Sequence, residues 1–349
     1  MNTTGAAELT VSVALCTHNG ERFIAEQVRS ILAQSRPPVE LVLSDDASTD
    51  GTVDIAISLV EQHNRDAASP VRLVVLRNVP ALGIAGNFEQ AISACTADLV
   101  ALSDQDDRWV PDRLELAVAE FEKRPALTLL HADARRIDEA GEPLEHSLFD
   151  SLHVSAWERQ NIDSGMAMKV LVRRNLVTGA TTLFRRELVA TAMPIPLGWI
   201  HDEWLGMIAA ATGVVAMDRR LLVDYRQHGG NQIGASQLSF REKLDKLREP
   251  RSERNRNLYV RARELVTRLQ ELEGIAALPL RLAWEKQEHE RYRVALPVNR
   301  VRRALPVLAT AARGNYRRYG LGAQDVLRDR KSTRLNSSHR LLSRMPSSA

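Results

Sequence analysis

Leu99-Val100-Ala101-Leu102 is a short apolar run, and Ser103-Asp104-Gln105-Asp106-Asp107 follows it directly. Four apolar residues without polar alternation read as a strand covered on both faces, not one half-exposed to water. The three carboxylates that follow cannot share that cover, because burying charge is costly unless it is paired. They belong at the strand's carboxyl end, which is where open α/β sheets bind their ligands.

Working outward, the same unit recurs. Val11-Ser12-Val13-Ala14-Leu15-Cys16 ends at Thr17-His18-Asn19-Gly20, and Val39 to Leu43 ends at Asp45-Asp46. Val71 to Leu76 and Ala126 to Leu130 supply two more strand-like runs. Between them, apolar residues recur at helical spacing: Ile24, Val28, Ile31; Val53, Ile57, Val60; Ile84, Phe88, Ile92; and, after Pro111, Leu114, Val118, Phe121. Strands alternating with helices predict an α/β fold, a mostly parallel central sheet with flanking helices. Residues 131–240 are less regular, and residues 241–330 read as Arg-rich helices forming a C-terminal helical appendage. Residues 331–349 are rich in Ser and Arg without periodicity and are expected to be a disordered or non-native tail. The predicted division is thus 1–240, 241–330 and 331–349.

The chain has 349 residues, 44% of them hydrophobic but only 5% aromatic, so the core is mostly aliphatic. Cys16 and Cys95 form no C-x-x-C and read as buried thiols of a reducing cytoplasm. The N-terminus lacks the basic segment of a signal peptide, and no apolar run is long enough to span a bilayer. The net charge of +3 conceals an asymmetry. Residues 1–240 hold 21 Lys and Arg against 32 Asp and Glu, whereas residues 241–330 hold 22 against 12. An acidic cleft calls for a cation, and a basic appendage suits an anionic surface. That region has no aromatic interleaving and no nucleic-acid motif, so no nucleic-acid partner is expected.

Asp104-x-Asp106 at a strand end suits Mg²⁺ or Mn²⁺, hard cations that take carboxylate oxygens together with substrate phosphates. The rival reading is a capping cluster before the next helix, to which Asp107 fits better than Asp106. Asp45 is placed to accept hydrogen bonds from a nucleobase or ribose, while Asp50-Gly51 reads as turn chemistry and Asp46 is open between the two. G-x-G-x-x-G and G-x-x-x-x-G-K-[ST] are both absent, so phosphate charge must be met otherwise. His201-Asp202-Glu203-Trp204 opens a helix, where Asp202 is either the N-cap or a general base, with Glu203 as fallback. In Tyr225-Arg226-Gln227-His228-Gly229-Gly230-Asn231, His228 is a candidate metal ligand and Arg226 a candidate diphosphate contact.

In order and spacing these segments resemble the family 2 glycosyltransferases of GT-A fold over roughly residues 10–235, and among them the bacterial rhamnosyltransferases of surface polysaccharide assembly. The resemblance implies a metal-dependent hexosyltransferase that inverts the anomeric carbon. Its donor would be a dTDP- or UDP-sugar, with rhamnose as the sugar, and its acceptor a glycan or lipid-linked hydroxyl. It implies donor contacts from Thr17, Asn19, Asp45, Asp46, Asp104 and Arg226, a metal held by Asp104, Asp106 and His228, and Asp202 as base. The expected location is cytoplasmic, with peripheral membrane contact through 241–330. A catalytically inactive nucleotide-sugar-binding or scaffold subunit is the alternative, and a nucleotidyltransferase fits poorly because Thr17-His18-Asn19-Gly20 lacks its Gly-rich basic loop.

Overall fold

A computed structural model of the protein describes residues 8–228 and 251–330. The expected boundary at 240, the Gly229-Gly230-Asn231 turn and the 331–349 tail lie outside the described residues. The chain divides into two compact units, residues 8–228 with 268–282, and residues 251–267 with 283–330.

The first unit alternates as its apolar runs predict. It begins β1 (Val11–Thr17), α1 (Ile24–Leu32), β2 (Glu40–Asp45), α2 (Thr52–Asp66), β3 (Arg72–Arg77), α3 (Gly83–Ala94) and β4 (Leu99–Ser103). It continues with β5 (Arg108–Trp109), α4 (Arg113–Lys123), β6 (Leu127–Ile137), α5 (Leu148–Ser151), α6 (Ala156–Asp163) and α7 (Ala167–Leu171). A 3-10 turn (Gly179–Thr181), β7 (Thr182–Arg185), α8 (Leu188–Ala192), α9 (His201–Thr212) and β8 (Val214–Arg226) follow.

The eight strands form one sheet in the order β3-β2-β1-β4-β7-β6-β8-β5. The pairs β1–β2, β2–β3, β1–β4 and β6–β8 are parallel, so the sheet is mostly parallel as expected. Beyond β4 the direction reverses, because β7 pairs antiparallel to both β4 and β6. β1, β2 and β4 are buried along their whole length, which accounts for the apolar runs 13–16, 41–43 and 99–102 within them. The chain leaves β1 toward β2 and β3, then returns to place β4 on the other side of β1. That reversal opens a crevice at the carboxyl ends of β1 and β4.

One strand pairing and one helix start deliver distant residues to this crevice. β5 lies antiparallel to β8, with Arg108 opposite Asp224 and Trp109 opposite Val223. The register brings residues 106 and 107, just before β5, beside residues 226–228, at the end of β8 and just after it. On the other side of the crevice α9 begins with His201, and Trp204 one turn on is fully buried and donates to the Ala192 carbonyl at 2.6 Å.

Two capping expectations are corrected. Asp107 does not cap the next helix, since α4 starts at Arg113 with Asp112 at the N-cap position. Its carboxylate instead accepts the Arg226 N–H at 2.9 Å, tying the turn after β4 to the end of β8. Asp202 is not an N-cap either, because Ile200 holds that position and α9 already includes His201.

The second unit contains most of α10 (Arg251–Glu271) and α11 (Ala277–Ala295), with α12 (Arg300–Ala312), α13 (Asn315–Tyr319) and α14 (Ala323–Arg330). Its apolar core is small, centred on Leu296, Val307 and Tyr316. Beside it lies a buried ionic network. Arg293, with no exposure, donates to Glu290 at 2.9 Å and Asp329 at 2.8 Å, and Asp329 also accepts from Tyr316 at 2.8 Å and Asn255 at 3.1 Å. Burial disfavours the Arg293 charge, but Glu290, Asp329 and Asp325 more than offset this and raise its pKa. Removing one partner strands the others. Arg293→Ala is expected to destabilise this unit by about 3–5 kcal/mol in denaturant unfolding, far more than substitution of an exposed arginine such as Arg302.

Candidate active site

A cavity of about 630 Å³ occupies the crevice, a volume that suits a small-molecule ligand. Thr17, His18 and Asn19 line it from the end of β1, Asp46 from the end of β2, and Gly83, Asn87 and Phe88 from α3. Asp104, Gln105 and Asp106 line it from the turn after β4, His201 and Asp202 from α9, and Tyr225 and His228 from the end of β8. Of the residues expected at the site, Thr17, Asn19, Asp46, Asp104, Asp106, Asp202 and His228 come together here. Asp45 and Arg226 do not line it.

One wall is acidic. Asp106 Oδ2 lies 2.7 Å from His228 Nε2, and the Phe23 ring packs 4.9 Å from the imidazole. Burial raises the Asp104 carboxyl to about 7, and the nearby charges of Asp106 and Asp202 add to it. Burial together with Asp106 and Asp104 pushes Asp107 well above the usual carboxylate range. The counter-charge is Arg113, buried beneath the cluster with its guanidinium 3.7 Å from the Trp109 ring centroid. Burial lowers Arg113 to about 9, against the pull of Asp107 and Asp104.

No group of three or more His, Cys, Asp or Glu side chains converges as a metal site among the described residues. Asp106 and His228 nonetheless offer a hard oxygen and an imidazole nitrogen at one point of the cavity wall. A divalent cation that draws its other ligands from phosphates and water needs little more from the protein. Asp104 lines the same cavity but does not join that pair into a triad.

The facing wall carries Asp202. Its carboxylate accepts N–H groups from Gly179 at 3.1 Å and from Glu203 at 2.5 Å. Burial nonetheless raises it to about 7, opposed by the Gly179 hydrogen bond and reinforced by the Glu203 charge. Beside it His201 is 5% exposed and stacks on Phe88 with ring centroids 3.7 Å apart. Burial lowers His201 to about 3, so the ring is neutral, and neither ring nitrogen has a hydrogen-bond partner among the described residues. A Cβ on Gly179 would stand 2.7 Å from His201 Nε2, so only glycine leaves room for the imidazole.

The remaining expected residues stitch loops together. Asp45 accepts from Thr17 Oγ1 at 2.7 Å and from the Ser48 N–H at 2.9 Å. Asp46 accepts the Leu82 and Gly83 N–H groups at 2.6 and 2.9 Å, serving the start of α3, which has no cap of its own. Asn19, at φ 46°, receives the Thr49 N–H at 2.9 Å. Gln105 clamps the backbone of residue 18 from both sides, accepting its N–H at 2.8 Å and donating to its carbonyl at 3.0 Å. Arg226 was expected at a diphosphate. It is 2% exposed, pairs with Glu26, and donates to the carbonyls of Asp106 at 2.8 Å and Glu139 at 3.2 Å, so it braces the site from behind. Arg113, Phe88 and Gly179 carry no sequence signal of a part in the site, and His201 is marked only by its place in His201-Asp202-Glu203-Trp204.

The profile described as "Glycosyl transferase family 2" matches residues 12–191. The chain is 26% identical over 233 residues to an uncharacterized glycosyltransferase of Nostoc sp., covering 63% of this chain and 66% of that protein. It is 25% identical over 243 residues to a dTDP-rhamnosyl transferase of Shigella flexneri, covering 67% and 78%. It spans between 45% and 66% of the length of the first curated relatives it matches. The fold is similar to that of S. aureus TarS in complex with UDP-GlcNAc, with a TM-score of 0.54 and 17% identity over 92% of this chain and 90% of that one.

The Asp202 environment has a measurable consequence. With its folded pKa near 7, above the ordinary carboxylate value, Asp202 supports the fold below about pH 4, and that support is lost as pH rises through 7. Asp202→Asn should therefore stabilise the protein by about 1–3 kcal/mol more at about pH 8 than at about pH 5, read from denaturant midpoints.

Proposed function

The chain belongs to glycosyl transferase family 2, and on that premise we propose that it moves a hexose, with inversion, from a nucleoside-diphosphate donor to a hydroxyl of a glycan or lipid-linked acceptor in polysaccharide assembly. The carrying observation is one cavity at the strand-order reversal, with the Asp106–His228 pair on one wall and Asp202, poised near 7, on the other.

In this reading the donor diphosphate lies toward Asp106 and His228. These two residues would hold a Mg²⁺ or Mn²⁺ ion, with Asp104 beside them, and the ion when bound offsets the charge of the diphosphate. Asp202 removes the acceptor proton as the hydroxyl oxygen bonds to the anomeric carbon and the bond to the diphosphate breaks on the opposite face. A carboxylate titrating near 7 is ionised often enough to accept that proton and basic enough to hold it. His201, neutral and without a hydrogen-bond partner among the described residues, supplies a hydrogen bond to a sugar hydroxyl next to the base. Burial around Asp202 and His201 limits water, which would otherwise hydrolyse the donor.

Rhamnose carried on dTDP is the donor we favour, on the likeness to the Shigella flexneri enzyme, with a UDP-sugar as the other option. The basic stretch 241–330 would contact the inner face of the membrane, where a lipid-linked acceptor is presented.

A screen of dTDP-, UDP- and GDP-sugars, with and without Mn²⁺, tests the reading. Metal-dependent release of a nucleoside diphosphate from at least one donor is expected, and none from any donor overturns it. Asp202→Asn should lower transfer by about 10²–10⁴-fold and leave donor binding intact. Transfer that survives would move the base to Glu203. His201→Phe, which keeps the stacking surface, should raise KM for one substrate about tenfold with little change in unfolding, as expected for a lost hydrogen bond of about 1.4 kcal/mol.

A further inference from the structure

The second unit leaves an apolar surface in water. α12 buries Arg303, Val307 and Thr310 on one side. On the opposite side Val301 is 79% exposed, Leu305 77% and Leu308 47%, and Val298, just before the helix, is 80% exposed. At 3.6 residues per turn, positions 301, 305 and 308 fall within an arc of about 60°. A helix that only packs on a core carries polar residues on its outer side, whereas the outer side of α12 carries Val301, Leu305 and Leu308.

The charge around this face is of one sign. Between Glu290 and Asp325 the sequence holds eight arginines and no acidic residue. Arg300, Arg302 and Arg313, which bracket α12, are exposed and form no ion pair among the described residues. No described helix is long and apolar enough to cross a membrane, so an apolar face with a basic border calls for a surface that is itself apolar below and anionic above.

We propose that the outer face of α12, with Val298, Val301, Leu305 and Leu308, inserts into the interfacial layer of an anionic lipid bilayer, with Arg300, Arg302 and Arg313 at the headgroups. A second copy of the chain fits worse. A two-fold contact through this face would bring like-charged arginines together around a few aliphatic side chains, whereas anionic headgroups neutralise them. The inference deepens the transferase reading, since it places the enzyme where a lipid-linked acceptor is presented, but the surface itself is read from exposure and charge alone.

The test is flotation of the full chain with vesicles of phosphatidylcholine alone and of phosphatidylcholine mixed with phosphatidylglycerol. Wild type should bind the anionic vesicles, and salt should weaken that binding only in part, because the apolar contact is not screened. The triple variant V301S, L305S and L308S alters only exposed positions. It should lose at least about tenfold in vesicle affinity and keep its helical circular dichroism and its donor turnover. Equal binding by the triple variant overturns the α12 face and leaves membrane contact through other basic residues standing. No binding by wild type overturns both, while donor turnover still decides the transferase reading by itself. A wild-type dimer that L305E converts to monomer would assign the face to self-association and also overturn the proposal.

Discussion

Three carboxylates within four residues at the end of β4 can coexist only because Arg113 lies beneath them and the Arg226 N–H meets one of them. Each acid responds differently to the crowding. Asp107 is withdrawn into the fold as an acceptor for β8, and Asp104 is held near neutrality by burial and by its neighbours. Asp106 faces the cavity beside Asp104, and His228 meets its carboxylate there. Without the β5–β8 pairing neither Arg226 nor His228 would reach the cluster, so a two-residue strand sets the geometry of the site. Glu26 secures the arrangement from α1, where it pairs with both Arg108 and Arg226.

The strand order explains why the cavity forms where it does. Parallel strands aim their carboxyl ends the same way, and the reversal between β1 and β4 leaves no loop to cover the gap. The loops around it are held open by side chains: Asp46 at the start of α3, Asn19 and Ser48 across the ends of β1 and β2, and Gln105 on the backbone of residue 18. None of these is a glycine-rich phosphate cradle. In the proposed reading, the charge of a donor diphosphate would be met by a cation held at the Asp106 wall.

Much of the fold was legible because β1, β2 and β4 are covered on both faces and so carry apolar runs of three or four residues within them. The antiparallel entry of β7 was not, since a four-residue strand leaves no period to read. The residues gathered at the cavity were legible because they end strands or open helices, positions that a sequence pattern marks. Arg226 misled because a polar residue at a strand end faces either the ligand or the scaffold, and only the register between β5 and β8 decides which; the same register gives Asp107, a scaffold residue in either reading, to the end of β8 instead of to the next helix. Arg113 and His201 escaped notice because nothing local marks them, one lying in an amphipathic helix and the other beside a more conspicuous aspartate. The burial of Arg293 was equally hidden, because an arginine in a basic helix looks the same whether it faces water or three carboxylates.

The charge asymmetry of the chain resolves into separate physical causes once burial is known. In the first unit part of the acidity is structural, as with Glu40, which is buried and takes hydrogen bonds from Ser12 and Thr96 that hold its carboxyl below the usual range despite burial. Another part lines the cavity, where it repels an anionic ligand over a screening length of about 8 Å at physiological salt. In the second unit Arg254 and Arg293 are consumed by Asp325, Asp329 and Glu290. The excess positive charge that reaches solvent is therefore concentrated in the acid-free stretch between Glu290 and Asp325, the same stretch that leaves Val298, Val301 and Leu305 exposed. Net charge by region had suggested one basic appendage, but only the arginines without a carboxylate partner can act on anything outside the protein.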